Sequence, residues 1–337
     1  MKKRHHSNLL RSLGLASAMA ALSWLPATAT AADNICTDYD AVNYAPALDY
    51  PSRTGFRLFW NKWLAKDTPY HMGHDQIVQE GQGTTVVGKF DYGAVFHKDL
   101  EFEYVNAYLY GTGMNDWQSL GRYKTNSDGK IYVSVPPLSE GQYQVKMVVR
   151  GDRSETTAYV TSIKQGAKAV LFDIDETLTA SDLEQILDYT GIEAADARGG
   201  AGELVRHYVE RGYHPIFVTG RSYWYAKGSR NWLANYLNVP DFTLRTTMSN
   251  ETGLFNVAEY KANALNEFQA QGIEILRAYG NATTDIEAYE AAGIPKAETY
   301  IIGKNAGANG TQAVANGSYW EHLNEVAYPN TPHSGCL

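Results

Sequence analysis

At 337 residues, 44% hydrophobic and 20% charged, the chain has room for two domains of ordinary size and the composition of a globular protein. Its formal charge of −8 argues against nucleic acid as a partner and against general electrostatic adsorption to anionic membranes, while leaving room for a local basic patch.

Residues 1–32 have the pattern of a secretory signal peptide. Lys2, Lys3, Arg4 and Arg11 form a basic start, an apolar run follows from Leu13 to Leu25, and Ala27, Ala29 and Ala31 offer small residues for cleavage. The apolar run falls short of the roughly 20 residues that span a bilayer, and no other segment approaches that length. The expectation is a periplasmic or secreted chain with no transmembrane segment in its mature form. Cleavage would remove four positive charges and no negative ones, making the remainder more acidic still. Cys36 and Cys336 lie near the two ends of the mature chain, and in an exported protein they are expected to pair. Loop-entropy models credit so long a loop with about 4–5 kcal/mol.

Residues 33–80 read as an irregular, aromatic segment with one helical piece. Phe56, Phe59, Trp60, Trp63 and Leu64 recur at helical spacing, which predicts a helix facing a core rather than a membrane. His71 and His74 invite a metal reading, but two histidines three apart beside a glycine make a poor ligand set. Residues 81–163 change to short alternating runs, 84–90, 103–109, 130–135, 142–149 and 156–161, broken by turn residues. This is the pattern of an immunoglobulin-like β-sandwich. Arg150-Gly151-Asp152 matches an adhesion tripeptide, and a hairpin turn explains it better.

Residues 164–310 alternate strands with helices, the mark of a parallel sheet. Strands are predicted at 167–172, 214–218, 242–245, 274–279 and 298–302, and helices at 201–211, 223–237, 258–270 and 285–292. Gly212, Gly272 and Gly293 follow three of the helices, where a C-cap is wanted. Residues 311–337 remain as a tail.

The first of these strands is a continuous apolar run ending in Asp173 and Asp175. Ligands bind outside the carboxyl ends of parallel strands, so two carboxylates there can serve as nucleophile and proton carrier. A solvated acidic turn would explain the pair alone. Three further sites follow on consecutive strand–helix units: Thr219-Gly220-Arg221 after the second strand, Lys261 early in a helix, and Gly280-Asn281 with Asp285 after the fourth strand. Singly, Thr219 is an N-cap, Lys261 a solvated charge and Asp285 a dipole partner. Together, in this order, they define one site.

At these residues the chain resembles the haloacid dehalogenase superfamily of aspartate-nucleophile phosphatases. Its motifs correspond to Asp173-x-Asp175-x-Thr177, Thr219, Lys261 and Gly280-Asn281-x-x-x-Asp285. Within the superfamily it is similar to the lipin-type domain, shared by phosphatidate phosphatases and by part of certain phosphatidylinositol-transfer proteins. Asp173 to Asp182, Val218 to Arg221, Tyr279 to Asn281, Thr284-Asp285, Ala288-Tyr289 and Gly293 to Pro295 carry that likeness, over roughly residues 165–305.

The resemblance implies a Rossmann-like α/β fold and a Mg²⁺-dependent phosphatase. In that reading Asp173 attacks phosphorus, Asp175 is acid then base, and Mg²⁺ is held by Asp173, the carbonyl of Asp175 and Asp285. Lys261 and Thr219 neutralise and bind the phosphoryl oxygens, and Thr177, Gly220, Arg221 and Asn281 contact substrate. Glu176 replaces the expected glycine, with its side chain expected to point away, and Asn281 replaces an acid found in many members. The short spacings between motifs leave little room for a cap, so the expected substrate is a large or membrane-borne phosphomonoester such as phosphatidate. Tyr223-Trp224-Tyr225 can either form a lipid-facing lip or pack on the sheet. A phosphatase for soluble or protein phosphomonoesters is the alternative enzyme, and a lipid-binding or adhesion module the alternative without catalysis. Oligomeric state is open.

Overall fold

The computed structural model describes residues 40–93, 97–181, 195–248 and 256–334. The leader and both cysteines lie outside those residues, so the signal-peptide and Cys36–Cys336 expectations have no structural counterpart here.

An all-β region comes first. β1 (Met72–Gly73), β3 (Thr84–Lys89) and β8 (Lys130–Val135) form a three-stranded antiparallel sheet; β4 (Asp91–Tyr92) pairs with β5 (Lys98–Asp99). β2 (Gln76–Gln79), β10 (Glu155–Ile163), β9 (Gly141–Val149), β6 (Tyr104–Gly111) and β7 (Gln118–Lys124) form a five-stranded sheet in that order. β2 runs parallel to β10 and the other neighbours are antiparallel. Val86, Val133, Val105, Val145, Met147 and Val160 share one apolar core. β8 shows the alternation that half-burial demands, with Ile131, Val133 and Val135 buried and Tyr132 and Ser134 exposed. The five runs predicted from alternation correspond to β3, β6, β8, β9 and β10. The short β1 and β2, and the exposed β7, carried no such pattern.

The α/β domain has one parallel sheet ordered β13 (Thr243–Thr247), β12 (His214–Ser222), β11 (Lys168–Phe172), β14 (Glu274–Gly280), β15 (Thr299–Ile302), β16 (Gln312–Val314). β11 explains its own apolar run. Val170 and Phe172 enter the core beneath α2 (Ala201–Glu210), with Leu204, Tyr208 and Phe217, whereas Ala169 and Leu171 enter the opposite core, with Ile216, Leu265 and Phe268 of α4 (Val257–Ala270). A strand covered on both faces needs apolar residues at both parities. Burying each such large side chain contributes about 1.5–3 kcal/mol.

From β11 the chain winds outward through β12 to β13, then crosses to β14, β15 and β16 on the other side. The order therefore reverses at β11, so its carboxyl end opens the crevice where such sheets take ligands. Gly212, Gly272 and Gly293 adopt φ of +80°, +90° and +75°, the left-handed region a C-cap glycine supplies. The helix expected at 223–237 is broken into a 3₁₀ turn at Tyr223–Tyr225, α3 (Ala226–Asn231) and a π-turn at Trp232–Tyr236. Beyond β16, Tyr319, Leu323 and Ala327 join the core under α2.

The β region and the sheet meet through polar contacts. Asp75, fully buried, accepts from the backbone N–H of Tyr159 and of Leu244, 2.9 Å each, and pairs with Arg230. Arg245 Nε donates to the Asp75 carbonyl at 2.6 Å, and His74 Nε2 lies 3.1 Å from the carbonyl of Thr246. Tyr223 donates to Asp91 Oδ2 at 2.7 Å, and Trp224 stacks on His97 with ring centroids 4.5 Å apart. Tyr223 and Trp224 thus pack against the β region. His71 turns instead to Ser154 Oγ, 2.8 Å away, so the two histidines do not converge on a metal. Arg150-Gly151-Asp152 lies in the turn from β9 to β10, where Asp152 Oδ1 accepts from the Ser154 N–H.

Candidate functional site

β11 ends by delivering Asp173, 4% exposed, to the crevice. Its N–H donates to the carbonyl of Tyr279 on β14, which fixes its position. Lys261 of α4 enters from the side, its Nζ 2.6 Å from Asp173 Oδ1 and 2.6 Å from Asp285 Oδ1. Thr177 Oγ1 donates to Asp173 Oδ2 at 2.9 Å. Asp285, on the first turn of α5 (Thr283–Ala291), accepts from the N–H groups of Asn281 and Ala282 at 3.0 Å each. Gly280 lets this turn close, because a Cβ there would lie 2.6 Å from the Asp285 Cβ.

Burial works against the Lys261 charge, yet the two carboxylates outweigh it, so its ammonium is held more firmly than an ordinary lysine. Burial pushes the Asp173 carboxyl up to about 7; Lys261 opposes the shift while Asp285 and Asp175 add to it.

Asp175 has a separate partner. Arg221, 1% exposed, donates from Nε to Asp175 Oδ2 at 2.8 Å and from Nη2 to Oδ1 at 2.6 Å. Its Nη1 is tied to Ser229 Oγ at 2.7 Å, so the guanidinium is held from behind. Thr219 Oγ1 lies 3.3 Å from Asp175 Oδ2 and accepts from the Arg221 N–H. A bidentate guanidinium of this kind fixes a carboxylate as an acceptor in one geometry. Arg221, expected on the substrate, pairs with Asp175 and also lines the pocket.

Glu176 departs from expectation. It sits at φ +51°, a backbone that suits glycine, and its Oε2 accepts from Asn281 Nδ2 at 3.0 Å. Its side chain lines the pocket rather than pointing away. Arg198 Nε, at 2.9 Å, holds the Glu176 carbonyl. Asn281 Oδ1 in turn lies 3.5 Å from Thr177 Oγ1.

Asp173, Asp175, Glu176, Gly220, Arg221, Lys261, Asn281 and Asp285 together line a pocket of about 400 Å³, and Lys304 joins them. Thr177 and Thr219 stand behind this lining. Lys304, exposed just after β15, was missed in the sequence, although the rule that ligands collect at the carboxyl ends of parallel strands would have flagged it. Asp182, the last residue of the first motif's likeness, lies outside the described residues. Among the described residues no three His, Cys, Asp or Glu side chains gather to hold a metal ion. Asp173 and Asp285 offer hard carboxylate oxygens, the donor type Mg²⁺ takes, although both share Lys261, and the lining carries four acids against three bases.

The β region and the α/β domain match known family models in the same order. Residues 69–162 match the model described as the beta-sandwich domain of PITM 1-3, and residues 170–303 the model described as its LNS2 domain. Among curated relatives, the human membrane-associated phosphatidylinositol transfer protein 1 is 31% identical over 269 residues, 77% of this chain and 20% of that protein. The protein retinal degeneration B of Drosophila melanogaster is 30% identical over 261 residues, 72% of this chain and 20% of that protein. Human membrane-associated phosphatidylinositol transfer protein 3 is 31% identical over 258 residues, 72% of this chain and 25% of that protein. The chain thus spans about a fifth to a quarter of these relatives. Likeness to solved structures, such as a superoxide reductase from Ignicoccus hospitalis at TM-score 0.21 and 13% identity over 28% of this chain and 80% of that one, carries no argument.

These matches correct the lipin-type phosphatase expectation. Two of these relatives are named as phosphatidylinositol transfer proteins, so the chain is not assigned as a lipin-type hydrolase. Both oxygens of Asp175 accept from Arg221. The periplasmic or secreted location is corrected by the same relatives, two of which are named as membrane-associated. No helix among the described residues is long and apolar enough to cross a membrane.

Proposed function

We propose that the chain is a phospholipid-recognition module whose pocket takes the phosphate of an anionic headgroup and holds it without cleaving it. The observation that carries this is the pocket itself: Asp173, Asp175 and Asp285 are each paired with a cation, Glu176 accepts from Asn281, and Lys304 is exposed in the lining. The lining is charged or polar but for Gly220 and Ala282, which suits a headgroup rather than an acyl chain. Mg²⁺ held by Asp173 and Asp285 would offset the surplus acid and bridge to phosphate oxygens. Lys304 and the Lys261 ammonium add positive charge, and Asn281 can donate to an oxygen. The relatives' names, which join phosphatidylinositol to membrane association, support a lipid ligand. Phosphatidate, with its exposed phosphomonoester, is the preferred member of that class. Transfer of lipid between membranes is not part of the proposal.

The test is co-sedimentation of the full chain with phosphatidylcholine vesicles containing phosphatidate or phosphatidylinositol, with Mg²⁺ or with EDTA. Phosphatidate-selective binding that EDTA weakens, and that Lys304→Ala lowers about 5-fold with no change in melting, is the expected result. Equal binding of both lipids by parent and variant would remove the pocket from lipid recognition.

A further inference from the structure

α1 (Phe59–Leu64) is fastened to the β region along one side only. Asn61, 1% exposed, donates from Nδ2 to the Glu101 carbonyl and to Glu103 Oε1, both at 2.9 Å. The N–H groups of Arg57 and Leu58 donate to the Glu103 carboxylate at 2.8 Å each, while Phe56, Leu64 and Ala65 pack on the sandwich core. The other side carries Phe59, Trp60 and Trp63, which are 72%, 57% and 59% exposed. The core-facing reading of this helix is therefore corrected: Asn61 and Leu64 face inward and the aromatics face out.

The neighbouring turn adds Phe102, 40% exposed and held at φ +56°, a backbone region that a bulky residue rarely takes. Its carbonyl accepts from Arg57 Nη1 at 2.5 Å, which ties the turn to the start of the helix. These four make up four of the nine large hydrophobic side chains exposed among the described residues. Bases outnumber acids around this face. In a chain of net charge −8, residues 52–66 hold Arg53, Arg57, Lys62 and Lys66, all exposed, and no acid, while Asp67, Lys98 and Glu101 line a groove with Trp60 and Trp63. Lys66 Nζ lies 3.8 Å from the centroid of the Trp63 ring.

We propose that this face of α1, with Phe102, is a membrane-contact surface that sets Phe59, Trp60 and Trp63 into the headgroup region of an anionic bilayer. Tryptophan and phenylalanine on a short helix suit that boundary, where one part of the ring is apolar and the other wet. The four bases face lipid phosphates, and the long lysine stems can lie along the aromatic rings while their ammonium groups reach outward. Aromatics and arginine mark both kinds of surface, and the two lysines favour lipid, because lysine is depleted from protein–protein interfaces whereas it strengthens contact with anionic lipid. The surface is separate from the headgroup pocket and needs only negative lipid charge, so it does not rest on the phosphatidate reading.

The experiment uses the full chain with phosphatidylcholine vesicles, with and without phosphatidylglycerol, which offers charge but no phosphomonoester. The parent is expected to co-sediment only with the anionic vesicles, with a blue shift in tryptophan emission and a loss of binding in high salt. Trp60→Ala/Trp63→Ala should weaken binding about 10-fold or more, and Lys62→Glu/Lys66→Glu about 10–30-fold. The replaced side chains are exposed, so melting should stay at the parent's value. Equal binding by all variants would overturn the proposal in favour of a protein-facing surface. Conversion from dimer to monomer in the tryptophan variant would overturn it in favour of a second copy, and binding that emerges only after removal of residues 1–39 in favour of that segment as occupant. Loss of phosphatidate selectivity with phosphatidylglycerol binding intact would touch the pocket reading alone.

Discussion

The pocket and the junction between the two domains both bury carboxylates, but they treat them differently. In the pocket, Asp173 and Asp285 share Lys261, and Asp175 has Arg221 to itself. At the junction, Asp75 has Arg230 and two backbone N–H groups, whereas Asp91 has Tyr223 and His97 on Oδ2 and, among the described residues, no hydrogen-bond partner on Oδ1. Burial drives the Asp91 carboxyl up to about 7, opposed only in part by Tyr223 and Lys89. The contrast lies in the counter-charge: the ligand-site acids are fixed by cation pairing while Asp91 is held by neutral hydrogen-bond partners, and burial raises Asp173 in the one and Asp91 in the other to about 7.

Removing the shared cation should have the largest effect. Lys261→Met leaves Asp173 and Asp285 buried and facing each other without a counter-charge, at a cost of about 3–5 kcal/mol in denaturant unfolding. Adding Asp285→Asn should restore part of it. A loss below 1 kcal/mol would mean that the pocket is wetter than its burial implies, and the comparison would fail on its stronger side.

Asp75→Ala is next, at about 2–4 kcal/mol, because it strands two N–H donors and a guanidinium. Calorimetry should then resolve two transitions, as expected when a polar interface between domains is uncoupled. A single transition at the parent's midpoint would show that the remaining contacts suffice to join the domains.

The smallest effect is also the sharpest test of the difference. An acid whose folded pKa is raised takes up a proton on folding, so its favourable contribution is complete below about pH 4 and fades as pH rises to about 7. Asp91→Asn should flatten that decline, by roughly 1–4 kcal/mol across the window, in unfolding measured from about pH 5 to about pH 8. An unchanged slope would place the titration elsewhere, for instance on Asp241, which burial also raises to about 7.

What the sequence revealed of this molecule follows from what periodicity encodes. β11 announces itself because both its faces are covered, and the helix ends at Gly212, Gly272 and Gly293 because each needs a left-handed residue. The gathering of Asp173, Lys261, Asn281 and Asp285 could be read because each sits at the carboxyl edge of a parallel strand or on the helix that follows. Their pairing could not. Nothing local tells that Arg221 would turn inward to Asp175, or that Glu176 would face Asn281, because those contacts span 46 and 105 residues. The sidedness of α1 was hidden for a related reason. An apolar helix stripe looks the same whether it meets a core or the outside, and here Glu103, 42 residues beyond Asn61, decides which side is fastened.

β10 ends at Ile163 and β11 begins at Lys168, so only four residues separate a central strand of the sandwich from the strand that bears Asp173. A tether that short reaches at most about 14 Å, and the Asp75 contacts lie alongside it. The two domains therefore behave as a single lever with no slack at the elbow. Any tilt imposed on the sandwich by what it rests against must be passed to the pocket as a change of aim rather than of shape.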